Sequence, residues 1–202
     1  MVGNNPIAVA LPSAGEFPVE ADMALSATAM GKIRLAAAAG QRIPEDWAVD
    51  SQGRPTTDPT VAINGMLLPA AGPKGFGLAV VIDLLCGGLS DGAVGADVRP
   101  LYGDPAEPYR CSHFFLAIDA GHFPVGERFA ERVRDQAMRV SKSKRGPGMD
   151  RVYAPGELVW ATRQASEGVC CLDAPTVRGL LDTAARVGLG NFESSLLAAR
   201  AT

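Results

Sequence analysis

The segment LLPAAGPKGFGLAVVIDLLCGGLSD, residues 67–91, joins a glycine- and proline-rich loop around Lys74 to the longest apolar stretch of the chain. Only Gly77 and Asp83 interrupt that stretch between residues 76 and 85, and a Gly-Gly pair ends it, which predicts a core helix. A lysine in such a loop is suited to bind an anion, because helix N-termini carry unpaired N–H groups and a partial positive charge. The alternative is that the glycines only permit tight packing, and this segment alone favours that alternative.

The residues before this segment predict a β-hairpin followed by a helix. Residues 6–11 are apolar and residues 17–23 alternate, so the two should be strands that pair or lie adjacent in one sheet. Residues 25–39 are rich in alanine and stop at Gly40, which predicts a helix. Asp22 would then stand between a strand and a helix, where it could cap that helix or accept a hydrogen bond from a ligand hydroxyl.

Several shorter patterns complete the expected fold. Trp47 is a candidate hydrophobic anchor within a polar loop, and Asp58 is placed to cap a short helix over residues 60–64 with Pro59 at its first position. The remaining expected elements are a strand at residues 112–118, a helix at 126–140, an extended segment with a turn at 151–160, a possible short strand at 167–172 and a helix at 175–187.

The composition is that of a globular protein with one large domain or two small ones: 202 residues, 47% hydrophobic and 20% charged. A net charge of -3 gives no electrostatic reason to expect nucleic acid as a partner, and no stretch reaches the roughly 20 apolar residues of a membrane span. Without a leader pattern, a cytoplasmic location is expected. Strands and helices mix without regular βαβ order and without a GxGxxG loop, which predicts an α+β fold rather than an ordinary Rossmann unit.

Few side chains of this sequence are placed to carry chemistry. His113, inside an expected strand, and His122, just after it, are expected to be satisfied or surface histidines rather than catalytic groups. Asp83 is expected to bond a backbone end or an arginine, because an unpaired buried carboxylate costs several kcal/mol. The cysteine spacing fits neither a metal site nor a disulfide framework, which predicts reduced thiols and no metal. The cysteines are Cys86, Cys111, Cys170 and Cys171.

A series of short motifs follows one order along nearly the whole chain. They are GNNPIA (3–8), DMALS (22–26), MGKI (30–33), IPEDW (43–47), GRPTTD (53–58), GPKGFGLA (72–79), HFFLAID (113–119) and VYAPGE (152–157). This ordered set resembles the type 2 malate/L-lactate dehydrogenases, a family that includes ureidoglycolate dehydrogenase and the piperideine-carboxylate reductases. The ordered set is far more specific than any single motif.

The resemblance implies an NAD(P)-dependent oxidoreductase that interconverts a 2-hydroxy acid and a 2-oxo acid by hydride transfer. It implies a largely antiparallel, non-Rossmann cofactor-binding sheet flanked by helices, and a homodimer. We expect a cofactor- and substrate-binding domain at residues 1–172 and a C-terminal helix and tail at 173–202. The implied cofactor contacts are Ala21, Asp22, Met23, Lys74, Pro155, Gly156 and Glu157, and the implied substrate contacts are Asn4, Met30 and Gly31.

The chain also departs from the family pattern. The family usually has Gly-Thr-Asn-Pro where this chain has GNNP at residues 3–6, so a hydroxyl near the substrate is lost. Some members carry an acidic residue, in a charge-relay role, where Lys32 stands. The family's Ser-His-Gly segment, whose histidine donates a proton to the substrate, has no match here in His113 or His122. We therefore expect a truncated dehydrogenase with impaired catalysis; the alternative is a non-catalytic remnant that binds nucleotide or only dimerises.

Overall fold

A β-hairpin begins the part of the chain that the structure, a computed structural model, describes. Strand β1 (Ile7–Leu11) pairs antiparallel with β2 (Val19–Met23), with Val9 opposite Ala21. The predicted pairing of the two segments is confirmed. The described residues are 4–99, 104, 106–166, 169–172, 174–190 and 192.

Helix α1 (Met30–Ala38) begins later than the predicted start at Leu25. The Leu25 N–H donates to the Asn4 carbonyl at 2.8 Å, and the Ala27 N–H donates to the Leu68 carbonyl at 2.7 Å. These hydrogen bonds join residues far apart in sequence, and they replace the local bonds that a helix would need. The prediction is therefore wrong for the first residues, although the helix stops before Gly40 as expected.

The buried centre of the fold is small. Ile33, Ile43, Ala48 and Ala62 form one cluster in which each residue is at most 4% exposed. Trp47 packs against this cluster from outside and is partly buried, so its predicted role as a hydrophobic anchor is confirmed. Two of the four cluster residues are alanines, so this core contains few large side chains.

Short elements surround that cluster. Strands β3 (Ala48–Val49) and β4 (Met66–Leu67) pair antiparallel, and α2 (Pro59–Ile63) lies between them in sequence. The Asp58 carboxylate accepts a hydrogen bond of 2.8 Å from the Thr60 N–H. The predicted cap and the predicted short helix are confirmed.

The central apolar segment forms helix α3 (Pro73–Asp83), which continues into a π-helical turn (Leu84–Gly88). The predicted helix is confirmed, but its expected burial is not seen. Phe76, Val81 and Leu84 are 48, 51 and 55% exposed. The prediction of a core helix is wrong for these side chains, because no element among the described residues covers them.

Residues 112–118, which carry the clearest strand pattern, run without a bend but belong to no sheet. Within the described ranges, no backbone hydrogen bond joins an N–H or C=O of residues 113–118 to another segment. Phe115, Leu116 and Ile118 are 90, 72 and 70% exposed. The predicted strand is wrong here, because a strand requires a neighbour and none is described.

Three longer helices follow: α4 (Phe129–Ser141), α5 (Glu157–Ala165) and α6 (Ala174–Arg186). The predictions of α4 and α6 are confirmed. The extended segment predicted at residues 151–160 is wrong from residue 157 onwards, because Gly156 adopts a left-handed φ of 87° and helix α5 starts directly after it.

The predictions near the C-terminus are only partly testable. Residues 169–172 form no strand, and residues 167 and 168 lie outside the described residues, as does all of the tail at 191–202 except residue 192. None of the helices in the described ranges combines the length and the apolar character needed to cross a membrane.

The chain exposes more surface than a folded chain of its size should. Its solvent-accessible surface is 15189 Å². A folded monomer of 21.0 kDa is expected to expose about 9,000 Å². Helices and small antiparallel sheets make this an α+β fold, as predicted, but one with much of its apolar surface uncovered.

Candidate functional site

A cavity of about 650 Å³ lies where helix α3 begins. Its wall is mainly apolar, and among the lining residues that the structure describes only Asp46 carries a carboxylate. Apolar walls with a few polar groups are typical of small-molecule sites, so this cavity is the candidate site. The lining residues are Ala27, Asp46, Leu68, Pro69, Ala71, Gly72, Pro73 and Phe76.

Backbone pairing between distant segments builds the cavity wall. The Ala27 N–H donates to the Leu68 carbonyl at 2.7 Å, and the Ala70 N–H donates to the Leu25 carbonyl at 2.9 Å. This short antiparallel contact fixes the loop before α3 against the loop before α1. The two loops therefore hold each other in place at one side of the cavity.

The loop that enters α3 has an unusual backbone. Ala71 and Gly72 both have positive φ, 54° and 58°, and no side chain caps the helix N-terminus. A Cβ on Gly75 would lie 1.7 Å from the Ala70 carbonyl oxygen, so this glycine is required for close packing. Lys74 is exposed and forms no ion pair within the described residues. The packing interpretation is confirmed for Gly75, and the anion interpretation of Lys74 stays a prediction.

The predicted substrate contacts fall in two places. Asn4 lies beside the cavity wall: its carbonyl accepts from Leu25, and its side-chain oxygen accepts from the Ser26 hydroxyl at 3.4 Å. Met30 packs against the buried cluster and Gly31 is exposed, both in the first turn of α1. None of these predicted contacts is itself a lining residue of the cavity.

The predicted cofactor contacts Ala21, Asp22 and Met23 form the second half of β2, in register with β1. Asp22 is exposed at this position. It does not cap a helix, because α1 starts at Met30 and its capping position is Ala29. Of the two alternatives for Asp22, only the contact with a ligand hydroxyl remains, and it stays a prediction.

The turn before α5 lies against the first half of the same strand. The Glu20 N–H donates to the Pro155 carbonyl at 3.4 Å. A Cβ on Gly156 would lie 2.7 Å from Glu20 Cγ and 2.9 Å from the Pro18 carbonyl oxygen. Strand β2 rises about 3.3 Å per residue, so its two ends lie about 13 Å apart. The turn contacts the first end of the strand, and Met23 is at the other end.

Glu157 is buried and fully engaged within the chain. Its carboxylate accepts hydrogen bonds from the Ser141 hydroxyl at 2.5 Å, from the Ala154 N–H at 2.8 Å and from the Arg151 guanidinium. Burial acts to raise the pKa of Glu157, but these three hydrogen bonds together with the positive charge of Arg151 outweigh it. The pKa of Glu157 therefore lies below its usual range.

A second cavity, of about 270 Å³, lies beside Glu157 between α4 and the hairpin turn. Its wall carries charges of both signs, so it favours no single class of ligand. Its lining residues are Ser13, Gly15, Glu16, Phe17, Arg134, Ala137, Met138, Ser141, Lys142 and Glu157.

Neither histidine lines either cavity. His122 is exposed, and its Nδ1 lies 2.9 Å from the Asp119 carboxylate. His113 is also exposed, with its ring 6.3 Å from the Phe115 ring between centroids. Both occupy the surface, as predicted, and neither is placed to donate a proton at the candidate site.

Asp83 and the cysteines are the remaining candidate groups. The Asp83 carboxylate accepts a hydrogen bond of 2.6 Å from the Gly95 N–H, which confirms its predicted structural role. All four cysteines are free thiols. Over the described ranges, no cluster of three or more His, Cys, Asp or Glu residues is placed to hold a metal ion.

The sequence patterns did not reveal the cavity itself. Asp46 and Phe76 belong to two of the quoted motifs, but the motifs predict no binding role for either residue. Ala27 belongs to none of the motifs. The signal for Asp46 was its place in the IPEDW motif. The sequence does not predict the cavity wall as a whole, because a backbone contact between two distant loops produces no pattern in the residues of either loop.

Comparison with protein families gives a match over most of the chain. A family model described as malate/L-lactate dehydrogenase matches residues 1–178. The match therefore contains both cavities and every predicted site residue.

Comparison with individual proteins agrees. The chain is 40% identical over 151 residues to a (2R)-3-sulfolactate dehydrogenase (NADP(+)) of Chromohalobacter salexigens, covering 75% of this chain and 45% of that protein. It is 37% identical over 173 residues to the ureidoglycolate dehydrogenase (NAD(+)) of Escherichia coli K12, covering 85% and 49%. The solved sulfolactate dehydrogenase from Methanocaldococcus jannaschii has a TM-score of 0.78 at 32% identity, covering 92% and 53%. The chain spans about half the length of the relatives it matches.

Proposed function

Since the chain belongs to the malate/L-lactate dehydrogenase family, we propose that it forms the cofactor-binding part of an NAD(P)-dependent oxidoreductase. The reaction is hydride transfer between the nicotinamide ring and the carbon that is a hydroxyl carbon in a 2-hydroxy acid and a carbonyl carbon in a 2-oxo acid. The observation that carries this proposal is that the separate segments forming the 650 Å³ cavity all lie inside the region matched by the family model.

The residues at the start of α3 fit an anionic cofactor. The helix N-terminus has no side-chain cap, Gly72 lines the cavity, and Lys74 is exposed beside it. Uncapped N–H groups and a lysine favour a phosphate through hydrogen bonds and charge. We assign the cofactor phosphates to this end of α3.

The remaining proposed contacts follow strand β2. Its exposed Asp22 can accept hydrogen bonds from a ribose hydroxyl, and the backbone of Pro155 and Gly156 lies against the other end of the strand. Glu157 acts by fixing that turn, because the hydrogen bonds to its carboxylate come from within the chain. The cofactor, NAD or NADP, supplies or accepts the hydride when bound.

The substrate is proposed to bind near Asn4, where the side-chain amide can donate to a carboxylate, with Met30 and Gly31 nearby on α1. The reaction also needs a group that donates a proton to the substrate oxygen. His113 and His122 lie away from both cavities. We therefore place the proton donor outside these 202 residues.

We also propose the type of cofactor sheet, the domain bounds, the location and the oligomeric state. The cofactor sheet is antiparallel and non-Rossmann, residues 1–172 form the binding domain and residues 173–202 an added helix and tail, and the complete protein is a cytoplasmic homodimer. The antiparallel pairs β1–β2 and β3–β4 support the sheet assignment.

A second candidate function is a remnant that binds nucleotide, or only dimerises, without turnover. The absence of a histidine from the lining of both cavities favours it. In this case the cavity at α3 keeps its affinity for the cofactor while the proton transfer is lost. A missing general acid typically lowers the rate by about 10²–10⁴-fold.

Cofactor binding is tested by titrating NADH and NADPH while following tryptophan fluorescence. Trp47 is the neighbour of the cavity residue Asp46, and the Trp160 N–H bonds the Gly156 carbonyl of the turn. If quenching persists in the Trp160→Phe variant and is lost in the Trp47→Phe variant, the cofactor binds at the cavity. No quenching in the wild-type chain contradicts the binding proposal.

Lys74→Ala is expected to weaken cofactor binding about fivefold, because one close charge pair contributes on the order of 1 kcal/mol. The matched control is Lys144→Ala, which removes an exposed lysine from the loop after α4 and should leave the dissociation constant unchanged. Equal affinities of the wild type and Lys74→Ala would refute the phosphate assignment. Turnover of malate or sulfolactate by the chain alone would rule out the remnant.

A further inference from the structure

A single carboxylate lies in the wall of the cavity at the start of α3. Among the lining residues that the structure describes, Asp46 is the only charged one, and the others are apolar or glycine. Within the described ranges, no hydrogen bond or ion pair engages the Asp46 side chain. A ligand that fills the cavity removes water from this carboxylate, so the ligand must offer a hydrogen-bond donor in return.

The backbone next to Asp46 is held by two other segments of the wall. The Leu68 N–H donates to the Trp47 carbonyl at 2.9 Å, and the Leu68 carbonyl accepts from the Ala27 N–H at 2.7 Å. The Trp47 side chain also packs against the buried cluster. Asp46 therefore precedes an anchored residue, and its carboxylate extends from a backbone position that is fixed before a ligand binds.

Two segments of the wall have opposite electrostatic character. Gly72 and Pro73 start α3, whose N-terminus has no side-chain cap and favours an anion. Asp46 comes from the loop before β3 and repels an anion. A ligand with an anionic group and a neutral hydrogen-bond donor therefore suits both segments. A ligand with a second anionic group in place of the donor does not.

NAD and NADP differ in this respect, because NADP has a phosphate where NAD has the 2′-hydroxyl of the adenosine ribose. A carboxylate accepts a hydrogen bond from that hydroxyl, whereas a 2′-phosphate is bound by arginine or lysine. Neither arginine nor lysine is among the wall residues that the structure describes. Lys74, exposed beside the wall residue Pro73, is already assigned to the phosphates that both cofactors share.

We infer that Asp46 accepts a hydrogen bond from the 2′-hydroxyl of the adenosine ribose and makes the chain selective for NAD over NADP. This inference rests on the proposed cofactor binding. Asp22, the other proposed ribose contact, then binds the nicotinamide ribose, which is the same in both cofactors. Asp46 thus determines specificity twice, by a hydrogen bond to one cofactor and by repulsion of the other.

The test is isothermal titration calorimetry of the 202-residue chain with NADH and with NADPH. The wild type should bind NADH at least about 20-fold more tightly than NADPH, because like charges at a binding site are strongly unfavourable. ADP-ribose and 2′-phospho-ADP-ribose should show the same preference, since they differ at the same hydroxyl and lack the nicotinamide ring.

Substitutions at residue 46 should change the preference in a graded way. Asp46→Asn removes the charge and keeps the size, so the two affinities should come within about threefold of each other. Asp46→Lys supplies a cation for the 2′-phosphate and should make NADPH the tighter ligand. Glu45→Gln is the matched control, because it removes the adjacent exposed carboxylate, which does not line the cavity, and it should keep the wild-type preference.

Several results would overturn the inference. Equal affinities of the wild type for NADH and NADPH would do so while leaving the proposed function intact. A preference that persists in Asp46→Asn, or that is lost in Asp22→Asn instead, would show that another group selects the cofactor. Equal binding of ADP-ribose and 2′-phospho-ADP-ribose would show that the preference arises away from the adenosine ribose. If neither cofactor binds, the inference and the proposed function fail together.

Discussion

Glu157 joins three parts of the chain through one carboxylate. It stands in the first turn of α5, accepts a hydrogen bond from Ser141 at the end of α4, and accepts another from the Ala154 N–H before the turn. Arg151 completes the set and also lies over the Tyr153 ring, with its guanidinium carbon 4.9 Å from the ring centroid. This carboxylate therefore sets the position of the turn that touches β2.

Glu157→Gln is expected to destabilise the fold by on the order of 2 kcal/mol at neutral pH, since it removes a hydrogen-bonded charge from a buried site. The pKa of Glu157 is lowered in the folded chain, so its contribution is fully present above the unfolded value of 4.5. It is lost as the pH falls from there through the folded pKa. Urea midpoints at pH 7 and pH 3.5 measure both effects.

The wild type should lose more stability between these two pH values than Glu157→Gln does. Glu45→Gln serves as the matched control, because Glu45 is exposed and forms no ion pair within the described ranges. It should behave as the wild type at both pH values. A Glu157→Gln variant with an unchanged pH dependence would show that this carboxylate carries no acid-sensitive stability.

At the scale of elements, helix α3 contains two glycines with opposite surroundings. A Cβ on Gly75 would collide with the Ala70 carbonyl oxygen, while a Cβ on Gly77 meets no atom within 4 Å. Both stand in the interior of one helix, where glycine is less favourable than alanine by about 0.5–1 kcal/mol. The surroundings therefore decide the sign of each substitution.

Gly75→Ala is expected to lower the free energy of unfolding by on the order of 1–3 kcal/mol, because α3 or the cavity loop must move to admit the methyl group. Gly77→Ala should raise it by up to about 1 kcal/mol through the reduced flexibility of the unfolded chain. Urea denaturation of the two variants beside the wild type measures both. Similar effects of the two substitutions would contradict the close contact at residue 75.

The elements that could be predicted are those fixed by neighbouring residues. The hairpin β1–β2 follows from alternation, and α2 follows from Asp58, whose carboxylate caps its own helix. Residues 25–29 could not be predicted, because hydrogen bonds to Asn4 and Leu68 override their helical composition. The same applies to the cavity, whose wall depends on that contact.

At residues 112–118 the sequence predicts a strand and the structure has none, for a different reason. Its apolar side chains indicate an environment buried on both faces, and the described residues provide no such environment. The resemblance to the dehydrogenases implied a cofactor contact at Lys74, which stays a prediction, but it did not imply the loop geometry at Ala71 and Gly72. A local pattern contains neither the partner of a strand nor the shape of a loop.

At the scale of the whole molecule, the exposed surface determines how the chain unfolds. An unfolded chain of 21.0 kDa exposes about 30,000 Å². Folding to 15189 Å² buries about half of that, where a chain of this length normally buries about 70%. Less surface is therefore available to be exposed by denaturant.

We expect the urea m-value of the isolated chain to be about 0.7 times the value typical of its length, since m scales with the surface exposed on unfolding. A fluorescent dye that binds apolar surface should also bind the native chain, because side chains such as Phe115 and Leu116 are exposed. An m-value of ordinary size would show that the chain buries as much surface in solution as a complete domain.

The extended segment at residues 112–118 also has a consequence for the handling of these residues in a cell. Exposed apolar strands with unpaired edges promote aggregation, and chaperones exist to bind such surfaces. Any state that leaves Phe115 and Leu116 exposed, at 90 and 72%, is therefore a substrate for quality control.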